Sequence, residues 1–124
     1  MEQKFYLCEH CGNMTALIKD SGVPMICCGQ KMKELEPGST DAAQEKHVPV
    51  CTAEGNMVSV AVGSVLHPMQ PEHYIEWIAL QSKEGLQLKH LHPGDEPKAV
   101  FALSPGDRAE AVYAYCNLHS LWRG

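Results

Sequence analysis

Met57-Val58-Ser59-Val60-Ala61-Val62 alternates with a period of two, the signature of an extended chain with one buried face. Neighbouring side chains of a strand point to opposite faces, so Val58, Val60 and Val62 line one side and Ser59 and Ala61 the other. Upstream, Val48-Pro49-Val50-Cys51-Thr52 leads into the turn Ala53-Glu54-Gly55-Asn56, which pairs it with this strand. Downstream, His73-Tyr74-Ile75-Glu76-Trp77-Ile78-Ala79-Leu80 is long, aromatic and β-branched, and Gly85 starts a return strand over 86–91. Pro93-Gly94-Asp95-Glu96-Pro97 and Ser104-Pro105-Gly106-Asp107 punctuate a further strand over 98–103 and a last one over 109–116. Residues 37–124 are therefore expected to form an all-β domain of two packed antiparallel sheets. The one helical expectation is a single turn over 41–46, capped by Thr40 or Asp41, with His47 opening the strand after it.

The amino-terminal segment reads differently. A short strand over 4–7 delivers Cys8-Glu9-His10-Cys11-Gly12, and a second turn presents Met25-Ile26-Cys27-Cys28-Gly29, with fifteen residues between Cys11 and Cys27. Two sulfurs from each of two turns match a tetrahedral tetrathiolate metal site. Cys27 and Cys28 are adjacent, so both reach one metal only if the backbone turns sharply between them. Disulfides are the competing use of these thiols. About 36 residues bury little core, so this segment is expected to depend on its metal. The turn-rich stretch Glu36-Pro37-Gly38-Ser39-Thr40 places the boundary, giving domains 1–36 and 37–124.

The totals exclude several classes. The net charge of −5, with no basic stripe, argues against nucleic acid, and no apolar run approaches a membrane span. The start Met1-Glu2-Gln3-Lys4 lacks the apolar stretch of a secretion signal, which makes the cytoplasm the expected location. In that reducing compartment, clustered cysteines hold metal more often than disulfides. Because the overall field is acidic, an anionic substrate would have to be drawn by a local cation, and Lys46 is the candidate.

Seven histidines are present, and four fall where strand ends can gather them: His47, His67, His73 and His119, the last three positions after Cys116. His10, His90 and His92 read as surface residues, and Cys51 as a small buried apolar side chain. Met14, Met25, Met57 and Met69 read as core residues rather than ligands. Four imidazoles and one thiolate exceed the four donors of a structural zinc site. Iron suits them better, with four nitrogens in a plane, the thiolate below and one position open to a small oxidant. A thiolate opposite that position favours giving an electron, as in thiolate-ligated haems.

With these residues placed, the sequence resembles desulfoferrodoxin, the two-domain class of superoxide reductase, over essentially the whole chain. The resemblance is carried by Cys8-x-x-Cys11 with Cys27-Cys28, Glu45-Lys46-His47-Val48-Pro49, Gly63-Ser64-Val65-Leu66-His67-Pro68-Met69, His73-Tyr74-Ile75-Glu76-Trp77 and Cys116-Asn117-Leu118-His119. It implies a rubredoxin-like or desulforedoxin-like first domain, an immunoglobulin-like sandwich carrying the active iron, and a homodimer. It also implies two irons per chain, which zinc or another divalent metal can replace. Cys8, Cys11, Cys27 and Cys28 become ligands of one iron. His47, His67, His73 and His119 become equatorial ligands of the other, His119 through Nδ1, with Cys116 axial. Glu45 becomes the carboxylate that covers the sixth position, and Lys46 the cation that guides superoxide and aids its protonation. A rubredoxin-like donor would restore the electron. The competing functions are an electron-transfer protein built on the tetracysteine centre and a zinc-stabilised binding module.

Overall fold

A computed structural model describes residues 2–124. The chain divides into two compact units between Glu36 and Pro37. Among the described residues no helix is long and apolar enough to cross a membrane.

The first unit is built from very short strands. β1 (Phe5–Leu7) lies between β2 (Met14–Ala16) and β5 (Lys33–Glu34), and β3 (Ile26–Cys27) pairs with β4 (Gln30–Lys31) as a separate hairpin. Its buried apolar residues are Phe5, Cys8 and Leu35 alone among those described, while Ile18, Val23 and Ile26 stand exposed. Cys27 pairs with Gln30, so the β3–β4 loop is the dipeptide Cys28-Gly29, with φ of 52° and 74°. Positive φ at both central positions is the type I′ signature, and it supplies the sharp turn that adjacent cysteines require.

The second unit is an all-β sandwich. One sheet has the order β10-β7-β6, from β6 (Pro49–Glu54), β7 (Met57–Val62) and β10 (Lys98–Ala102). The other has the order β12-β11-β8-β9, from β8 (Ile75–Ser82), β9 (Leu86–His90), β11 (Ala109–Cys116) and β12 (Ser120–Arg123). Val58, Val60, Val62, Ala99 and Phe101 meet Ile78, Leu80, Val112, Ala114 and Cys116 in a single core, as the alternation of β7 requires.

Four local expectations are corrected. The helical turn α1 spans Gln44–His47, and its first cap is Ala43, which makes no side-chain cap bond, rather than Thr40 or Asp41. His47 ends that turn instead of opening a strand, because Pro49 is where pairing with Val62 begins. Cys116 does not end the last strand of the chain. β12 follows and pairs with β11, so Asn117-Leu118-His119 is a hairpin turn, left through Ser120 at φ 64°. Cys51 and Met57 are exposed: Met57 points away from the core, and Cys51, on the same face as its core partner Val60, lies on the edge strand β6.

Register brings the four chain segments of interest to one end of the sandwich. Pro49 at the start of β6 faces Val62 at the end of β7, and Cys116 at the end of β11 faces Ile75 at the start of β8. Between the Tyr115–Trp77 and Cys116–Ile75 pairs the register shifts, so β8 contributes one extra residue, Glu76. Such a bulge re-aims the side chain beside it, here Cys116, which is fully buried.

Phe101 fills the centre of this core with no exposed surface. Phe101→Ala should cost about 3–5 kcal/mol in denaturant unfolding of the second unit. A loss below about 1 kcal/mol would contradict the packing assigned to it.

Candidate functional site

In the first unit the sulfurs of Cys8, Cys11, Cys27 and Cys28 all lie within 4.8 Å of one another. Sγ of Cys11 and Sγ of Cys27 are 3.6 Å apart, far beyond a disulfide and close to the roughly 3.7 Å expected between thiolates sharing a tetrahedral metal. The backbone amide of Asn13 donates to Sγ of Cys11 at 3.4 Å, and its side-chain amide to Sγ of Cys27 at 3.7 Å. Four sulfurs this close do not all ionise by themselves. The amide of Cys11 is the main cause that draws Cys8 down to about 6, while the sulfurs of Cys11 and Cys8 push Cys28 up to about 12. A bound cation removes that conflict, so the donor set fits a metal such as iron or zinc.

In the second unit, Nδ1 of His47 lies 2.7 Å from the carbonyl of Ala43, and Nδ1 of His67 lies 2.7 Å from the carbonyl of Pro68. A carbonyl only accepts, so both Nδ1 atoms carry the proton and donate it. Burial lowers the pKa of His47 and holds His67 down at about 4, so both imidazoles are neutral at pH 7 with bare Nε2 atoms. Those two Nε2 atoms face each other at 3.2 Å, and Nε2 of His47 is also 3.1 Å from Nδ1 of His119. Nε2 of His73 is buried without a hydrogen-bond partner. Lone pairs converging in this way call for a cation at their focus.

The four rings close a cycle. Centroid distances run 4.6 Å from His47 to His67, 4.6 Å to His73, 5.1 Å to His119 and 4.9 Å back to His47, with 6.3 Å across from His47 to His73. Sγ of Cys116 lies within 4.8 Å of the ligand atoms of His47, His67 and His73, and 3.8 Å from Nδ1 of His119. Burial pushes its thiol up, and the backbone near Leu118 and His119 opposes that by hydrogen bonding. His73 and His119 keep partial exposure, so the ring is not sealed. Burial is the main cause that lowers His73 as well, with smaller contributions to His47 and His73 from the positive charge of Lys46, which is exposed and directly precedes His47 in the chain. Glu45 is exposed as well.

Three positioning residues had no assigned role in the sequence reading. The indole of Trp122 packs 5.0 Å from the His47 ring and donates to the carbonyl of His119 at 3.0 Å. Asn117 bonds the backbone of Glu72 and Tyr74, on either side of His73. Gly63 is the third: a Cβ there would stand 2.6 Å from the carbonyl of Glu45 and 3.0 Å from the backbone of Lys46 and Val48. The same loop holds Glu45 through the amide of Val65 at 2.9 Å. Only glycine admits this approach, although its place in the stretch 63–69 was the one available sequence signal.

The family model for desulfoferrodoxin matches residues 39–124. The desulfoferrodoxin homolog of Archaeoglobus fulgidus is 49% identical over 118 residues, covering 95% of this chain and 93% of its own. The desulfoferrodoxin of Nitratidesulfovibrio vulgaris is 43% identical over 124 residues, covering 98% of this chain and 95% of its own. Among solved structures, the superoxide reductase from Treponema pallidum superposes with a TM-score of 0.85 at 38% identity, covering 100% of this chain and 99% of that one.

Gly63→Ala should displace the Glu45-Lys46-His47 segment and weaken metal binding at the histidine cluster by roughly 10-fold or more, the tetrathiolate serving as internal reference. A cobalt(II) titration checks this, and equal affinity in the variant would refute the close-approach argument.

Proposed function

This chain belongs to the desulfoferrodoxin family, and we propose on that premise that it is a superoxide reductase working at the histidine–cysteine centre. The observation that carries the reading is the convergence of bare imidazole nitrogens and one buried sulfur on a single point. His47, His67, His73 and His119 are the nitrogen ligands and Cys116 the sulfur ligand of one iron. Cys8, Cys11, Cys27 and Cys28 hold the other. Iron bound at the first of these supplies the one-electron chemistry that superoxide reduction needs.

The residues of the chain do the rest. The carbonyls of Ala43 and Pro68 hold the protons of His47 and His67 on Nδ1, so both rings present Nε2 inward throughout turnover. The core around Cys116 excludes water from its sulfur and keeps it from other electrophiles. Lys46, next to a ring open to solvent on the His73 and His119 side, attracts the superoxide anion and assists its protonation. One electron and two protons convert each superoxide to hydrogen peroxide, the protons coming from solvent. Glu45, beside Lys46, is the carboxylate able to cover the site between turnovers. A rubredoxin-like protein is the donor that returns the electron. We assign residues 1–36 and 37–124 as functional domains, a homodimer as the assembly and the cytoplasm as the setting.

A superoxide pulse on the reduced protein should yield one peroxide per superoxide and no dioxygen. One dioxygen for each peroxide would mean dismutation, and no consumption would leave electron transfer as the function. Lys46→Ala should slow capture several-fold at low ionic strength and little near 1 M salt, where screening shortens to about 3 Å. An unchanged second-order rate at low salt would remove the steering role.

A further inference from the structure

We infer that Asn117 is the positioning residue that ties His73 to the Cys116–His119 turn, a role that deepens the proposed metal centre and rests on it. His73 stands at the end of the loop leaving His67, which is closed by paired backbone bonds between Gln70 and His73 of 2.9 and 3.0 Å and tied at Met69 to the amide of Gly94 at 2.9 Å. Nothing in that local bridge sets the distance from His73 to Cys116. Asn117 does so with three hydrogen bonds. Its Oδ1 accepts from the amide of Tyr74 at 3.0 Å, its Nδ2 donates to the carbonyl of Glu72 at 3.1 Å, and its own amide donates to the carbonyl of Tyr74 at 3.2 Å.

These bonds grip the peptide units on both sides of His73 and attach them to the residue following Cys116. The separation of 43 to 45 residues makes the contact tertiary rather than a local turn. The register shift between Tyr115 and Cys116 interrupts the regular ladder beside this point, and beyond the Cys116–Ile75 pair the two side-chain bonds of Asn117 add to its one backbone bond. An amide suits the place uniquely: it offers an acceptor to one peptide and a donor to the other from the same planar group. His47 and His67 are aimed by carbonyls at Nδ1, whereas His73, whose Nε2 is buried and unpartnered, has its flanking peptides held by Asn117.

The test uses the full chain loaded with cobalt(II), following the absorption band that disappears in Cys116→Ser. Asn117→Ala should weaken cobalt binding at this centre by roughly 10- to 100-fold, the range for residues that orient metal ligands. It should also shift the band and speed hydrogen exchange of the Tyr74 amide, while the tetrathiolate binds as before. Asn117→Asp keeps the acceptor for Tyr74 but sets an oxygen against the Glu72 carbonyl. It should retain Tyr74 protection and fall between the other two in affinity. Wild-type affinity and band position in Asn117→Ala would overturn the inference, even with faster Tyr74 exchange, since the bonds would then serve the fold alone. If Asn117→Ala does not fold, the same null result in Asn117→Asp overturns it. All these readouts are taken without superoxide, so a wild-type protein that makes no peroxide would unseat the proposed reaction and leave the clamp standing.

Discussion

Two neutral imidazole nitrogens, Nε2 of His47 and Nε2 of His67, are held lone pair to lone pair at 3.2 Å, and the second unit is arranged around that repulsion. Neither ring can escape by swapping its proton, because each Nδ1–H is committed to a carbonyl 2.7 Å away. Protonating one Nε2 would relieve the contact, but burial opposes the charged form, most strongly at His67. Rotation is blocked for His47 by the indole of Trp122. A cation is the remaining solution, so the sandwich stores an organised, electron-rich focus and the metal completes it. The close approach at Gly63 and the bonds of Asn117 belong to the same arrangement, since each fixes one arm of it.

The first unit meets its metal on other terms. It buries three apolar residues among those described, and its sulfurs ionise unequally, Cys8 drawn down chiefly by the backbone amide of Cys11 and Cys28 pushed up by the sulfurs of Cys11 and Cys8. Its strands, two or three residues long, contribute little cooperative pairing of their own. A small unit of this kind commonly draws much of its folding free energy from its metal. In the sandwich the order is reversed: a core of a dozen buried residues holds the ligands in place, and the metal is received by a fold already made.

The strand pattern was legible because alternation reports burial directly, and β7 and β11 run over the residues that the pattern marked. The clustering of the four histidines with Cys116 followed from antiparallel register, which puts the start of one strand beside the end of the next. What escaped the sequence depends on partners far away. Ala43 caps a helix with no side-chain bond, so no capping residue announced it. β12 is four residues long and is fixed by pairing with β11 rather than by its own composition. Cys51 is exposed because β6 is the edge strand of its sheet, although its partner Val60 is in the core, and its apolar character alone did not decide that position. Trp122 and Asn117 act on rings and peptides many residues distant, and their chemistry gives no local hint of it.

The donor sets themselves decide which centre faces superoxide. Four thiolates around a divalent iron leave two net negative charges, whereas four neutral imidazoles and one thiolate leave one net positive charge. An anionic substrate is therefore repelled by the first and attracted by the second, whatever the acidic balance of the whole chain. Screening limits that balance to about 10 Å at 0.1 M salt, so the nearest charges dominate the approach. His47 and His67, kept neutral by burial and protonated at Nδ1 by the carbonyls behind them, thus matter twice: they supply lone pairs that bind the metal, and as neutral donors they leave its positive charge uncancelled.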